Sequence, residues 1–123
     1  MSKRTDTRYF SSKQEKTVAK RVGGKTTANS GATKFSKGDV YTEDWLIEAK
    51  TKTTPSKSIT IQREWIEKNE EEAFSMGKSH SAVCFSFGDL HNDQNYYILN
   101  EKTFLMLLEY QRKEKENGKD QQA

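Results

Sequence analysis

Residues 82–87 (Ala-Val-Cys-Phe-Ser-Phe) form a nearly unbroken apolar run in a chain whose hydrophobic share is only 32%. An apolar run of this length predicts a β-strand that is buried on both faces. Such a strand needs covering layers on both sides of its sheet. The sequence therefore predicts an α/β fold in which a small mixed β-sheet is flanked by helices.

Hydrophobic periodicity and turn residues predict the element order α-β-β-(β)-α-β-β-α. The predicted helices cover residues 12–22, 63–76 and about 101–110. Gly23-Gly24 ends the first helix, Gly77 ends the second, and Asn100 caps the start of the third. The predicted strands cover residues 39–42, 45–50, 82–87 and 96–99, with a short one at 59–61. Three segments result: a flexible basic tail at 1–11, a single domain at 12–111 and a charged tail at 112–123.

The charge is unevenly distributed along the chain. Residues 1–63 hold fourteen Lys or Arg against six Asp or Glu, whereas residues 64–123 hold seven against twelve. A basic front half suits a polyanion such as nucleic acid, although scattered solvated lysines would give the same count. The residues expected to contact DNA are Lys3, Arg4, Arg8, Lys34, Lys37, Lys52, Lys57 and Arg63.

Cysteine content and hydropathy exclude several classes of protein. The single Cys84 excludes an internal disulfide and a zinc site built from cysteines. The sequence has no apolar run of about 18 residues that could cross a membrane and no signal-peptide hydrophobic region. We therefore expect a soluble, intracellular, cytoplasmic protein. Its small core favours homo-oligomerisation, because a short chain buries a smaller share of its surface.

The segment from Asp39 to Lys50 carries the clearest chemical signal. If Glu43-Asp44 forms a two-residue turn, the strand register places Asp39 directly opposite Glu48. Directly opposed carboxylates repel each other, and a divalent cation such as Mg²⁺ relieves that repulsion. Side chains alternate along a strand, so Lys50 lies on the same face as Glu48. A metal and a nearby ammonium group suit phosphodiester hydrolysis. The alternative is a solvated strand face with an incidental Glu48–Lys50 pair.

These residues resemble the PD-(D/E)xK nuclease superfamily, and within it the archaeal-type Holliday junction resolvases and their phage relatives. The resemblance runs from about Gln14 to Leu108 and rests on the motif Ile47-Glu48-Ala49-Lys50 after the Asp39 strand. Two departures from the family pattern are Gly38, where the family has proline, and Trp65, where many archaeal members have glutamine.

The resemblance implies a restriction-endonuclease-like fold and a set of site residues. Asp39, Glu48 and the backbone carbonyl of Ala49 would bind Mg²⁺, with Mn²⁺ as a substitute, and Lys50 would position or activate the attacking water. Glu15 would complete the metal site, unless it is an ordinary exposed helix acid, and Ser30 would lie near the scissile phosphate.

The activity implied is that of a homodimeric, magnesium-dependent endodeoxyribonuclease that resolves four-way DNA junctions. Two alternatives stay open at this point. One is another nuclease of the superfamily that acts on flaps, nicks or duplex DNA. The other is a DNA-binding module of the same fold that lacks catalytic activity.

Overall fold

The computed structural model describes residues 3–27, 39–52, 54–88 and 94–122, with side chains between residues 13 and 118 of these ranges. Within them lie three helices and five strands. In chain order these are α1 (Lys3–Val22), β1 (Lys25–Thr26), β2 (Asp39–Tyr41), β3 (Trp45–Thr51), α2 (Arg63–Ser75), β4 (His80–Ser86), β5 (Tyr96–Ile98) and α3 (Glu101–Gln122).

The five strands form one mixed sheet in the order β1-β2-β3-β4-β5. β3 and β4 are parallel, and the other neighbouring pairs are antiparallel. The parallel pair is connected through α2, as parallel neighbours require, since a tight turn cannot join them. The predicted α/β class with a small mixed sheet and helices is confirmed.

Two helices cover opposite faces of the sheet. On one face, Val18 and Ala19 of α1 pack with Val40, Ile47, Ala82 and Cys84 in the buried core cluster. Because side chains alternate along strands, the neighbours Asp39, Leu46, Glu48 and Val83 lie on the other face. That face meets α2, whose buried Asn69 donates a hydrogen bond of 2.9 Å to the Ala82 carbonyl. β4 lies between β3 and β5, so the apolar run forms an interior strand as predicted, but the strand covers His80–Ser86 rather than residues 82–87.

Glycines end the first two helices as the sequence predicts. Gly23 and Gly77 adopt positive φ angles of 70° and 72°, which residues with a Cβ atom rarely adopt. The predicted N-cap of α3 is also confirmed, because the Asn100 side chain accepts a 2.8 Å hydrogen bond from the Thr103 amide. None of the helices in the described ranges is both long and apolar enough to cross a membrane.

The outer limits of α1 and α3 differ from the prediction. α1 begins at Lys3 rather than after Ser11-Ser12, and α3 continues to Gln122 rather than ending near Tyr110. The extension of α3 is rich in Lys, Arg, Glu and Gln, the extension of α1 contains Lys3, Arg4 and Arg8, and neither contains proline. Lys, Arg, Glu and Gln have high helix propensity, so they favour the extension of α3 even though no apolar stripe marks it. The prediction relied on the apolar stripe and therefore began α1 too late and ended α3 too early.

One predicted strand is absent from the structure, and one observed strand was not predicted. Residues 59–61 form no strand, and the chain reaches α2 through an irregular segment. Conversely, Lys25 and Thr26 form β1, which pairs with Tyr41 and Val40 at the sheet edge. A two-residue edge strand has too few residues to show the alternation that identifies strands in a sequence. Its close approach to β2 requires Gly24, where an added Cβ would lie 2.5 Å from the Tyr41 carbonyl oxygen.

Candidate metal centre

The hairpin of β2 and β3 has the predicted register. Asp39 pairs with Glu48, Val40 with Ile47 and Tyr41 with Leu46. The turn is closed by a 2.9 Å hydrogen bond from the Thr42 amide to the Trp45 carbonyl. The Thr42 hydroxyl strengthens it by accepting a 3.1 Å hydrogen bond from the Trp45 amide. Two carboxylate side chains are thus directly opposed on one face of the sheet.

A lysine that the sequence does not single out holds this turn in place. The Lys78 ammonium donates hydrogen bonds to the carbonyl oxygens of Thr42 at 2.6 Å and Glu43 at 3.0 Å. It also lies 5.3 Å from the centre of the Tyr41 ring. The His80 amide donates a further 2.9 Å hydrogen bond to the Asp44 carbonyl. These contacts supply the stability that the Glu43-Asp44 pair, not a favoured turn dipeptide, lacks.

Both opposed carboxylates are buried. Asp39 is 1% exposed and Glu48 8% exposed. The Oε2 atom of Glu48 is buried and accepts no hydrogen bond from the residues that the structure describes. Burying an ionised carboxylate is costly unless a cation or hydrogen-bond donors compensate for the lost water. Oxygen ligands of this kind are those that Mg²⁺ prefers, so the residues present fit a divalent metal ion.

Lys50 lies beside this pair, as predicted. Its ammonium nitrogen is 3.3 Å from Oε1 of Glu48, and its side chain is half-buried. The same nitrogen lies 4.9 Å from the centre of the Trp65 ring, which reaches it from α2. A cation over an aromatic ring is attracted to the ring's negative face. Trp65 therefore helps to fix the position of Lys50.

Gln14 is a second residue that sequence reasoning missed. This side chain of α1 is buried, and its amide nitrogen donates to the Lys50 carbonyl at 2.8 Å and to the Asn95 side chain at 3.2 Å. It connects α1 to the end of β3 and to the segment before β5. The sequence does not indicate the role of Gln14, because its hydrogen-bond partners lie 36 and 81 residues away along the chain.

Glu15 belongs to α1, the helix on the opposite face of the sheet from Asp39 and Glu48. No group of three or more His, Cys, Asp or Glu within the described ranges is arranged to hold a metal ion. Glu15 does not form such a group with the two opposed carboxylates, and its role as a third acidic ligand stays a prediction. The same holds for the Ala49 carbonyl, which lies on β3 between Glu48 and Lys50.

The environment of Glu15 gives a prediction for stability. Partial burial raises the pKa of its carboxyl group above the ordinary 4.5, with Lys16 opposing this shift. The folded state then binds more protons than the unfolded chain above pH 4.5, so the free energy of unfolding falls as pH rises through this window. We expect Glu15→Gln to raise the urea midpoint at pH 7 without metal and to change it little at pH 4. The exposed Glu71→Gln is the control. A lower midpoint for Glu15→Gln at pH 7 would contradict this prediction.

Three of the predicted DNA contacts surround the end of β3. Lys52 follows the strand, Lys57 lies in the next loop, and Arg63 begins α2, where it pairs with Glu67 at 4.0 Å. All three side chains are exposed. The side chains of the other five, Lys3, Arg4, Arg8, Lys34 and Lys37, lie outside the described residues, as does Ser30.

The loop that carries Lys52 and Lys57 is attached to the end of β4. The Ser56 amide donates a 2.8 Å hydrogen bond to the Phe87 carbonyl. Gly88 has a positive φ of 88°, and a Cβ at this position would lie 2.5 Å from the Thr54 carbonyl oxygen. Only glycine permits this close approach. The exposed lysines of the loop are thereby kept near the proposed metal ligands.

Comparison with known proteins gives no match: no family model matches the chain, and no significant similarity to a curated protein or a solved structure is found.

Proposed function

We propose that this protein is a magnesium-dependent endodeoxyribonuclease with a restriction-endonuclease-like fold that resolves four-way DNA junctions as a homodimer. The observation that carries the proposal is the direct opposition of two buried carboxylates, Asp39 and Glu48, with the Lys50 ammonium 3.3 Å from Glu48. Neither a solvated strand face nor an incidental ion pair accounts for the burial of both acids. The resemblance of the Asp39 to Lys50 segment to junction resolvases supports the same activity.

The roles of the residues follow from their chemistry. Asp39, Glu48 and the Ala49 carbonyl would hold Mg²⁺ or Mn²⁺ through oxygen atoms. When bound, the ion supplies a water molecule of lowered pKa and neutralises charge on the phosphate. Lys50 is more exposed than Glu48, so its ammonium group can contact both the solvent and the carboxylates. It would orient the attacking water and stabilise the negative charge that develops on the phosphate oxygens.

The exposed basic residues beside the site would bring the phosphate backbone to it. Lys52, Lys57 and Arg63 lie after β3, in its following loop and at the start of α2. Contacts of this kind set the position of DNA without reading its sequence. Such a site would therefore select DNA by shape rather than by base sequence.

Junction resolution requires two symmetric cuts, which a single site cannot make at once. A two-fold dimer would present two equivalent Asp39, Glu48 and Lys50 sites, matching the two-fold symmetry of a four-way junction. Basic residues of both subunits could then contact several duplex arms, an arrangement that linear DNA does not offer. Junction selectivity thus depends on assembly, whereas hydrolysis depends on the site within one subunit.

A cleavage assay distinguishes this function from its alternatives. A four-way junction with each strand labelled in turn is incubated with Mg²⁺, Mn²⁺ or EDTA, beside a flap, a nicked duplex and an intact duplex. We expect metal-dependent cuts at symmetric positions in two opposing strands of the junction and little cleavage of linear duplex.

Two results would contradict the proposal, and each would favour one of the alternative functions. Equal cleavage of flaps or linear duplex would assign the protein to another nuclease activity. Tight junction binding without cleavage under any metal condition would indicate a DNA-binding module without catalytic activity. Glu48→Gln serves as the control for contaminating nuclease in every arm.

A further inference from the structure

The ammonium group of Lys50 has two attractive neighbours. It lies 3.3 Å from Oε1 of Glu48 and 4.9 Å from the centre of the Trp65 ring. The strongest contacts between a charged nitrogen and a carboxylate oxygen are about 2.7–2.9 Å long, so the contact with Glu48 is longer than these. The ammonium group is therefore shared between an acid of β3 and an aromatic ring of α2 rather than bound tightly by either.

The side chain of Lys50 has room to move between these two neighbours. It is 34% exposed, whereas the side chain of Glu48 is only 11% exposed. A lysine ammonium group is carried by a flexible chain of four carbons and can donate hydrogen bonds in several directions. The buried carboxylate is thus the fixed member of the pair, and Lys50 is the member that can change its position.

Glu48 needs a positive charge close to it. Its carboxylate is buried and lies directly opposite Asp39 in the strand register, so two acids repel each other there. Oε2 of Glu48 accepts no hydrogen bond from the residues that the structure describes. A buried carboxylate destabilises the fold unless a nearby charge compensates for the lost water. Lys50 supplies such a charge at Oε1.

The charge of Lys50 opposes the binding of a divalent cation at the same carboxylates. Like charges repel strongly in a partly buried site, because little water screens them. With both acids ionised, Asp39, Glu48 and Lys50 together carry one net negative charge, and a bound divalent ion would change this to one net positive charge. Lys50 would then be repelled from Glu48 but would keep its attraction to the negative face of the Trp65 ring.

We infer that Lys50 is the counter-ion of Glu48 in the metal-free protein and that metal binding transfers its ammonium group to the face of Trp65. Trp65 is then a positioning residue, because it holds the displaced ammonium group beside the site. Lys50 becomes available to a phosphate oxygen only after this transfer, when the net charge of the site is also positive. Metal binding would therefore precede the productive contact with the DNA backbone.

The transfer rests on the proposed metal-dependent function, but the counter-ion role of Lys50 can be tested without metal or DNA. With EDTA present, Lys50→Met should lower the melting temperature by about 3 °C or more. Glu48→Gln should raise it more in the Lys50→Met protein than in the wild type, because there the opposed acids have lost their counter-ion. Lys68→Met, which removes a charge from an exposed position on α2, is the matched control. An equal effect of Glu48→Gln in both proteins would overturn the counter-ion role.

The affinity for Mg²⁺ tests whether Lys50 and the metal compete. By titration calorimetry, Lys50→Met should bind Mg²⁺ about tenfold more tightly than the wild type, because the competing charge is gone. Lys50→Arg keeps the charge and should bind Mg²⁺ about as the wild type does, as should Lys68→Met. Equal affinities of Lys50→Met and the wild type would refute the transfer alone. Absence of Mg²⁺ binding in every variant would refute the proposed function together with the transfer.

The fluorescence of Trp65 reports where the ammonium group lies. The chain has two tryptophans, so Trp45→Phe leaves Trp65 as the only one. We expect Mg²⁺ to change the emission of Trp65 in this background, because indole emission responds to a charge beside the ring. The change should be much smaller in the double variant Trp45→Phe/Lys50→Met, which has no ammonium group to transfer. Equal changes in the two proteins, or no change in either, would contradict the transfer of Lys50 to Trp65.

Discussion

Glu48→Gln should lower the rate of metal-dependent DNA cleavage by at least about a hundredfold while the fold is retained. The substitution keeps the size of the side chain and removes the charge that would hold the metal opposite Asp39. Because it also removes repulsion between two buried acids, the variant should unfold at a higher temperature than the wild type without metal. Added Mg²⁺ should raise the melting temperature of the wild type but not that of the variant. Single-turnover cleavage of a labelled junction and thermal unfolding measure the two effects.

Glu43→Gln is the matched control for this prediction. Glu43 is also a glutamate of the same hairpin, but it is exposed in the turn. We expect Glu43→Gln to cut DNA at nearly the wild-type rate and to keep the Mg²⁺-dependent stabilisation. Asp39→Ala and Lys50→Ala should lose activity as Glu48→Gln does, with Lys50→Ala retaining the response of the melting temperature to Mg²⁺. Near-normal cleavage by Glu48→Gln would refute the proposed centre.

DNA binding should weaken by about a thousandfold between 50 and 200 mM salt if about six basic residues contact phosphates. Each contact releases counterions and adds about −0.9 to the slope of log affinity against log salt concentration on duplex arms. The double variant Lys52→Gln/Lys57→Gln should therefore reduce the slope by about 1.8. Affinities are measured by fluorescence anisotropy with a labelled junction and Ca²⁺ in place of Mg²⁺, which prevents cleavage.

The control for salt dependence also removes two positive charges, but from surfaces that are not predicted to contact DNA. Lys68 on α2 and Lys115 on α3 are exposed, and neither is predicted to contact DNA. Lys68→Gln/Lys115→Gln should leave the slope of the wild type nearly unchanged. An equal loss of slope in both double variants would mean that the net charge of the protein, rather than a local surface, governs binding. An affinity independent of salt would contradict phosphate contacts altogether.

The sequence predicted the elements that have strong local signals. The register that opposes Asp39 and Glu48 followed from one assumed turn and the two-residue period of strands, and the structure has that register. The helix ends at Gly23 and Gly77 were also predicted from single residues, because glycine readily adopts a positive φ. The cap at Asn100 was predicted in the same way, because its side chain accepts a hydrogen bond from the first turn of the helix.

The missed features depend on residues that are distant in sequence. Lys78 stabilises a turn 35 residues before it, Gln14 donates to a carbonyl 36 residues after it, and Trp65 meets Lys50 only because α2 packs on that face of the sheet. Neither side-chain type nor spacing indicates such pairs in a single sequence. The limits of α1 and α3 were missed for a different reason, because polar helices show no apolar periodicity.

The attachment of the hairpin turn to Lys78 and His80 also has a consequence for biosynthesis. During translation, Asp39, Glu48 and Lys50 leave the ribosome well before the two residues that stabilise their turn. A nascent chain that ends before residue 78 contains every proposed catalytic group but lacks the contacts that hold the acids in register. If the protein is the proposed nuclease, truncated products of this kind would lack the assembled site for DNA hydrolysis. The proposed hydrolytic centre would arise only as α2 and β4 dock, after the chain has been made as far as Ser86.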